Sequence, residues 1–146
     1  MNTSVIKAIV FDWAGTTVDF GSCAPILAFQ RLFLDQGVEI EVSEARAPMG
    51  LEKRDHIAAL LNMPRIAAAW QAVHGQAATE ADIDRLYQDF IPYQLKAIPQ
   101  CSDLIPGAVE TFQYLRSRDI KIGSNTGYAS MMMPELIEKS AQQGYV

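Results

Sequence analysis

Residues 5–12 read VIKAIVFD, a run of β-branched and apolar residues that ends in the carboxylate of Asp12. A strand so continuously apolar suits burial on both faces of a parallel sheet, which points to an α/β architecture. Asp12 then stands at the strand's carboxyl end, where open α/β sheets hold their ligands. A second strand is expected at DIKIGSN, residues 119–125, entered from PGAVETFQYLRSR, where Val109, Phe112 and Leu115 recur at helical spacing behind Pro106 and Gly107. Helix followed by strand is half of a βαβ unit.

The span between these pieces reads as helices only. CAPILAFQRLFLDQG puts Ile26, Phe29 and Phe33 on one face, with Gly37 as terminator. LEKRDHIAALLNMP and RIAAAWQAVHG predict two more helices, the first stopped near Pro64. TEADIDRLYQDFIPYQLKAI predicts a fourth, opened by Thr79 as N-cap with Asp82 three residues on, and Pro92 is expected to kink or divide it. TGYASMMMPELIEKSAQQGYV predicts a final helix. The organisation expected is a core segment 1–21, a helical insertion 22–99 and a second core segment 100–146. Trp70 is assigned to the core of the insertion and Met131 to Met133 to helix packing.

A net charge of −5 without any block of basic residues argues against nucleic acid and anionic membranes as partners, so an anionic substrate needs a local positive site. Two cysteines, Cys23 and Cys101, fit reduced thiols better than a disulfide framework. The apolar run after Lys7 covers only Ala8 to Phe11, too short for a signal peptide or a membrane span, and a cytoplasmic location is expected.

Gly15 and Thr16 allow a tight turn after Asp12, whose backbone N–H groups and hydroxyl are suited to a phosphoryl oxygen. With Mg2+ screening the charge, such an aspartate can attack phosphorus. The plainer alternative is an aspartate that only ends a strand. In PMGLEKRDHI, Met49, Lys53 and His56 fall at i, i+4 and i+7 and so share a helical face, the alternative being a solvated charged face.

FDWAGTTVD resembles the first motif of the haloacid dehalogenase-like superfamily, with Asp12, Gly15, Thr16 and Asp19 matching and Ala14 departing from it. In family phosphatases an acid at the place of Ala14 protonates the leaving oxygen. A carbon leaving group needs an electron sink instead, and a lysine condensed with an aldehyde supplies one as a protonated imine. Such a lysine must lose its proton to condense, so burial or cationic neighbours should lower its pKa.

DWAGTTVDFG, PMGLEKRDHI, MPRIAAAW and KIGSNTGY together resemble the phosphonatase branch of the superfamily, over essentially the whole chain. The resemblance implies a Rossmannoid α/β core with an inserted all-helical cap. It also implies Mg2+-dependent hydrolysis of the C–P bond of phosphonoacetaldehyde, to acetaldehyde and phosphate, in aminoethylphosphonate degradation. It makes Asp12 the nucleophile, Lys53 the Schiff-base residue, and Asp12 with the Ala14 carbonyl part of the metal shell. Thr126 would hold a phosphoryl oxygen, with Thr16, Gly127 and Tyr128 beside it. His56 and Met49 would line the imine site, with His56 assisting proton transfer. Asn125 stands where the branch is expected to have a threonine. A homodimer is also implied.

The superfamily's third-motif base and fourth-motif acids have no counterpart after Tyr128, where Lys139 is the only base and no Asp follows Asp119. The core is therefore expected to be incomplete and the chain to be the N-terminal half of a longer enzyme, marginally stable and of little or no turnover alone. The competing readings are a phosphate-ester phosphatase or mutase of the same superfamily, which leaves Lys53 without a task, and an inactive module that binds phosphate and Mg2+.

Overall fold

A computed structural model describes residues 6–128 and 130–145. It divides into two compact units, one built from Met1–Cys23 with Ile98–Val146 and the other from Ala24–Ala97.

In the first unit, β1 (Ala8–Phe11) pairs in parallel with β2 (Lys121–Ser124), in register from Ala8 opposite Lys121 to Phe11 opposite Ser124. The parallel pairing and the position of Asp12 just past β1 follow the sequence pattern. Burial does not, because Ala8 and Val10 are exposed, Val10 by 64%, and Ile9 and Phe11 are only half-buried. The physical reason is that the sheet has two strands among the described residues, too few to cover both faces and both edges. Ile6 and Lys7 precede the strand, and Val5 lies outside the described residues.

Helix α6 (Ala108–Arg116) packs on the sheet through Phe112, which meets Phe11 edge-on at 5.3 Å. It begins at Gly107, whose φ of 87° is a left-handed conformation that a glycine adopts without strain. The final helical segment is shorter than its pattern suggested. A 3₁₀ turn at Ser130–Met132 leads into α7 (Met133–Gln142), in which Pro134 occupies the first turn; Ala129, within the expected span, lies outside the described residues.

The second unit is all helical. It comprises α1 (Cys23–Asp35, which begins one residue before it), α2 (Val42–Arg46), α3 (Lys53–Leu61), α4 (Pro64–His74) and α5 (Glu80–Ala97). Its core gathers Phe29, Phe33, Leu60, Ile66, Trp70 and Phe90. Gly37 and Gly75 both take φ of 77°, ending α1 and α4 as left-handed caps do. Thr79 and Asp82 cap α5 reciprocally: the Thr79 N–H donates to Asp82 at 2.9 Å and the Asp82 N–H to Thr79 Oγ1 at 3.3 Å. Pro92 does not divide α5, which continues through it as one helix, with the proline on an exposed side. Arg54 joins α3 to α5 through Asp84 and Glu80, each at 2.7 Å. No helix among the described residues is long and apolar enough to cross a membrane.

Candidate active site

The loop after β1 is held by its own backbone. The Trp13 carbonyl accepts the N–H groups of Thr16, Thr17 and Val18 at 3.1, 2.9 and 3.1 Å, and the Gly15 N–H donates to Val18 O at 2.7 Å. The turn thus engages the Gly15 and Thr16 amides within itself. Thr16 is exposed; Thr17, which the motif reading passed over, is buried, and its hydroxyl donates to the Asp12 carbonyl at 3.2 Å. Gly15 has φ of 81°, which favours glycine, and a Cβ there would stand 2.6 Å from Ser22 Oγ, so that hydroxyl would have to turn away. Trp13 is buried and meets Tyr145 edge-on at 5.1 Å. Asp12 itself is exposed, and Ala14 half-buried.

Beside this loop runs the turn after β2, tied to it where the Asn125 N–H donates to Phe11 O at 2.9 Å. Thr126 Oγ1 accepts the Tyr128 N–H at 3.1 Å, which leaves the threonine hydroxyl hydrogen available to donate to a ligand. Gly127 is exposed, and no atom lies near the place of a Cβ there. The Tyr128 hydroxyl reaches the Asp19 carboxylate at 3.4 Å, and burial, followed by the charge of Asp19, raises its pKa so that it stays protonated. Asp19 is buried in a left-handed conformation with φ of 56°, and its carboxylate accepts the Cys23 N–H at 2.7 Å. A pocket of about 170 Å³ lies nearby, lined by Phe11, Pro106 and Phe112 together with Thr16, Thr17 and Thr111, and Asp12 does not line it.

In the helical unit, Lys53 opens α3 and is half-buried, with Nζ 6.0 Å from the centre of the Phe29 ring. Burial lowers its pKa, partly offset by the Glu52 carboxylate. His56 is completely buried, stacks on Phe29 at 4.0 Å between centres, and bonds through Nε2 to the Ala45 carbonyl at 2.9 Å. A carbonyl can only accept, so Nε2 carries the proton and Nδ1, which has no partner, is the free acceptor. Burial pushes the His56 pKa down to about 4, with the Lys53 charge acting in the same direction and the Ala45 bond opposing it. Met49 is half-buried in the turn before α3, with its N–H bonded to Arg46 O at 3.0 Å; it does not share the helical face expected of it.

The predicted residues thus fall into two groups, Asp12, Ala14, Thr16, Thr126, Gly127 and Tyr128 in the first unit and Met49, Lys53 and His56 in the second. No group of three or more acidic, His or Cys side chains suited to a metal exists among the described residues. The Asp12 carboxylate and Ala14 carbonyl are hard oxygen donors of the kind Mg2+ accepts, and they make up only part of a shell.

A strand-end carboxylate loop, a hydroxyl turn on the neighbouring parallel strand and a helical insertion define a class, and the family comparison agrees: the model for haloacid dehalogenase-like hydrolases matches residues 6–141. The chain belongs to that family. Among its relatives is the phosphonoacetaldehyde hydrolase of Hahella chejuensis, 54% identical over 96% of this chain and 48% of that protein. The phosphonoacetaldehyde hydrolase of Bacillus cereus strain B4264 is 49% identical over 96% of this chain and 53% of its own length. The crystal structure of a phosphonoacetaldehyde hydrolase-like protein from Oleispira antarctica superposes with a TM-score of 0.90 at 48% identity, covering 97% of this chain and 51% of that one. The chain spans about half the length of the curated relatives it matches.

Proposed function

We propose that this chain carries the nucleophile and the imine-forming lysine of a phosphonoacetaldehyde hydrolase acting in phosphonate degradation. The observation that carries the reading is Lys53, an amine half-buried against the Phe29 ring with its pKa lowered by that burial, in a family member whose motif has alanine at position 14. An ester phosphatase needs the acid that Ala14 lacks and has no use for a desolvated amine.

In this reading the neutral Lys53 amine adds to the aldehyde carbon and, with one proton taken up from solvent, expels water to give a protonated imine. The Asp12 carboxylate attacks phosphorus, and the electron pair of the breaking C–P bond moves into the C=N linkage, forming an enamine. Protonation at carbon and hydrolysis release acetaldehyde and regenerate Lys53; water then hydrolyses the aspartyl-phosphate. Thr126 donates its hydroxyl hydrogen to a phosphoryl oxygen, and Gly127 and Tyr128 complete that turn. His56, with Nε2 committed to Ala45, can exchange a proton only at Nδ1, and Met49 borders the same site. Mg2+, when bound by the Asp12 carboxylate and the Ala14 carbonyl, offsets the repulsion between carboxylate and phosphonate. The remaining metal ligands and a base that screens the phosphoryl group come from outside these residues. A cytoplasmic homodimer is part of the reading.

The test is phosphate release from phosphonoacetaldehyde by the protein encoded in the complete reading frame. The reading expects Mg2+-dependent turnover that Lys53→Arg abolishes. Hydrolysis of phosphate esters at comparable rates, unaffected by that substitution, would assign the chain to the ester phosphatases instead.

A further inference from the structure

The two cysteines lie where the chain leaves and re-enters the unit made of Met1–Cys23 and Ile98–Val146. Cys23 is the last residue of the outgoing segment, and Cys101 follows the 3₁₀ turn Ile98–Gln100 on return. The two segments run antiparallel: Val18 bridges Leu104, the Asp19 N–H donates to Asp103 O at 3.0 Å, and the Ile105 N–H donates to Thr17 O at 2.9 Å. A turn closed by the Ser22 N–H on Asp19 O at 2.8 Å leads into Cys23, whose amide the carboxylate of Asp19, a residue of this ladder, holds at 2.7 Å and whose thiol donates to Phe20 O at 3.3 Å. The Cys101 thiol senses the same group: burial, then the charges of Asp19, Cys23 and Asp103, push its pKa up to about 11. Both side chains are half-buried, within reach of small reagents.

We propose that Cys23 and Cys101 form a reversible disulfide that covalently joins the two connections to Ala24–Ala97, with a low-molecular-weight disulfide such as oxidised glutathione as oxidant. Neither thiol takes part in the reaction proposed above, so the inference stands apart from it. The Cys23 thiolate attacks one glutathione sulfur, forming a mixed disulfide and releasing one glutathione. Cys101 then loses its proton to solvent and attacks the Cys23 sulfur, releasing the second. Two protein thiols are oxidised, one disulfide is reduced to two thiols, and the protons leave with the glutathione. The second displacement is the slow one, because Cys101 is held protonated. The cross-link restricts the segments through which the helical unit is tethered.

The experiment exposes the protein encoded in the complete reading frame to oxidised glutathione in native buffer and in concentrated urea, then blocks free thiols and maps peptides. The expected product is an intramolecular linkage of the Cys23 and Cys101 peptides, with a ratio of internal to mixed disulfide at least about tenfold higher in native buffer. Cys101→Ser is expected to retain glutathione on Cys23. Stable glutathione adducts without the linked peptide, linkage only between chains, an equal ratio in urea, or no adduct on Cys23 in the variant would each overturn the proposal.

Discussion

The Nε2–H of His56 donates to the carbonyl oxygen of Ala45 at 2.9 Å, and this one bond pins the last turn of α2 to the first turn of α3, beside Lys53. The imidazole is fully buried and stacked on Phe29, so burial disfavours its charged form in the folded helical unit.

A pH dependence of stability follows. The folded pKa of His56, about 4, lies below its ordinary value of 6.5, so the unfolded chain binds the proton first as pH falls. The stabilisation is complete above pH about 6.5 and is lost as pH falls towards about 4, by up to about 3 kcal/mol. Urea denaturation followed by circular dichroism should show this loss. In His56→Gln, which keeps a donor to Ala45 and cannot titrate, the slope in that window should flatten, with a cost at neutral pH of about 1–2 kcal/mol.

Gly15→Ala should destabilise the first unit by about 1–3 kcal/mol, since it strains a φ of 81° and drives a Cβ to 2.6 Å from Ser22 Oγ. Adding Ser22→Gly removes the clash at a residue whose own φ of 51° suits glycine, and should recover part of the loss. Denaturation midpoints of the single and double variants check both statements.

Thr17→Val removes the hydroxyl that donates to the Asp12 carbonyl and should cost about 1 kcal/mol in stability. If Asp12 is the nucleophile, kcat of the complete enzyme should fall about tenfold or more with little change in KM, because the carboxylate is misplaced by its loosened backbone. Thr17→Ser, which keeps the donor, should restore kcat.

The isolated 146-residue chain should melt early and broadly. Val10 is 64% exposed on a two-stranded sheet, and such strands invite pairing with other chains. Sedimentation should show self-association that Val10→Lys reduces.

Much of the fold was legible because it rests on local rules. β-branched runs marked β1 and β2, and apolar periodicity with glycine and Thr79–Asp82 caps marked α1 and α3 to α6. Helix α2 was not legible: VSEAR has no apolar stripe, and besides a local capping box between Glu41 and Glu44 it is held by distant partners, the Arg65–Glu44 ion pair and the His56–Ala45 bond. The burial of His56 was hidden for a similar reason, since it sits in the charged string EKRDH and is covered by Phe29 from another helix. Asp12, Lys53 and Thr126 are proposed on motif alone; Thr17 and Asp19 could not be given their tasks, because a threonine bonding back to a carbonyl and a left-handed aspartate capping α1 leave no periodic signal.

The most direct test of the account is borohydride reduction of the complete protein during turnover of phosphonoacetaldehyde, followed by peptide mapping. The account predicts an N-ethyl group on Lys53, the reduced form of the imine left after the C–P bond has broken. Release of phosphate at the normal rate with Lys53 unmodified, or by Lys53→Arg, would contradict it.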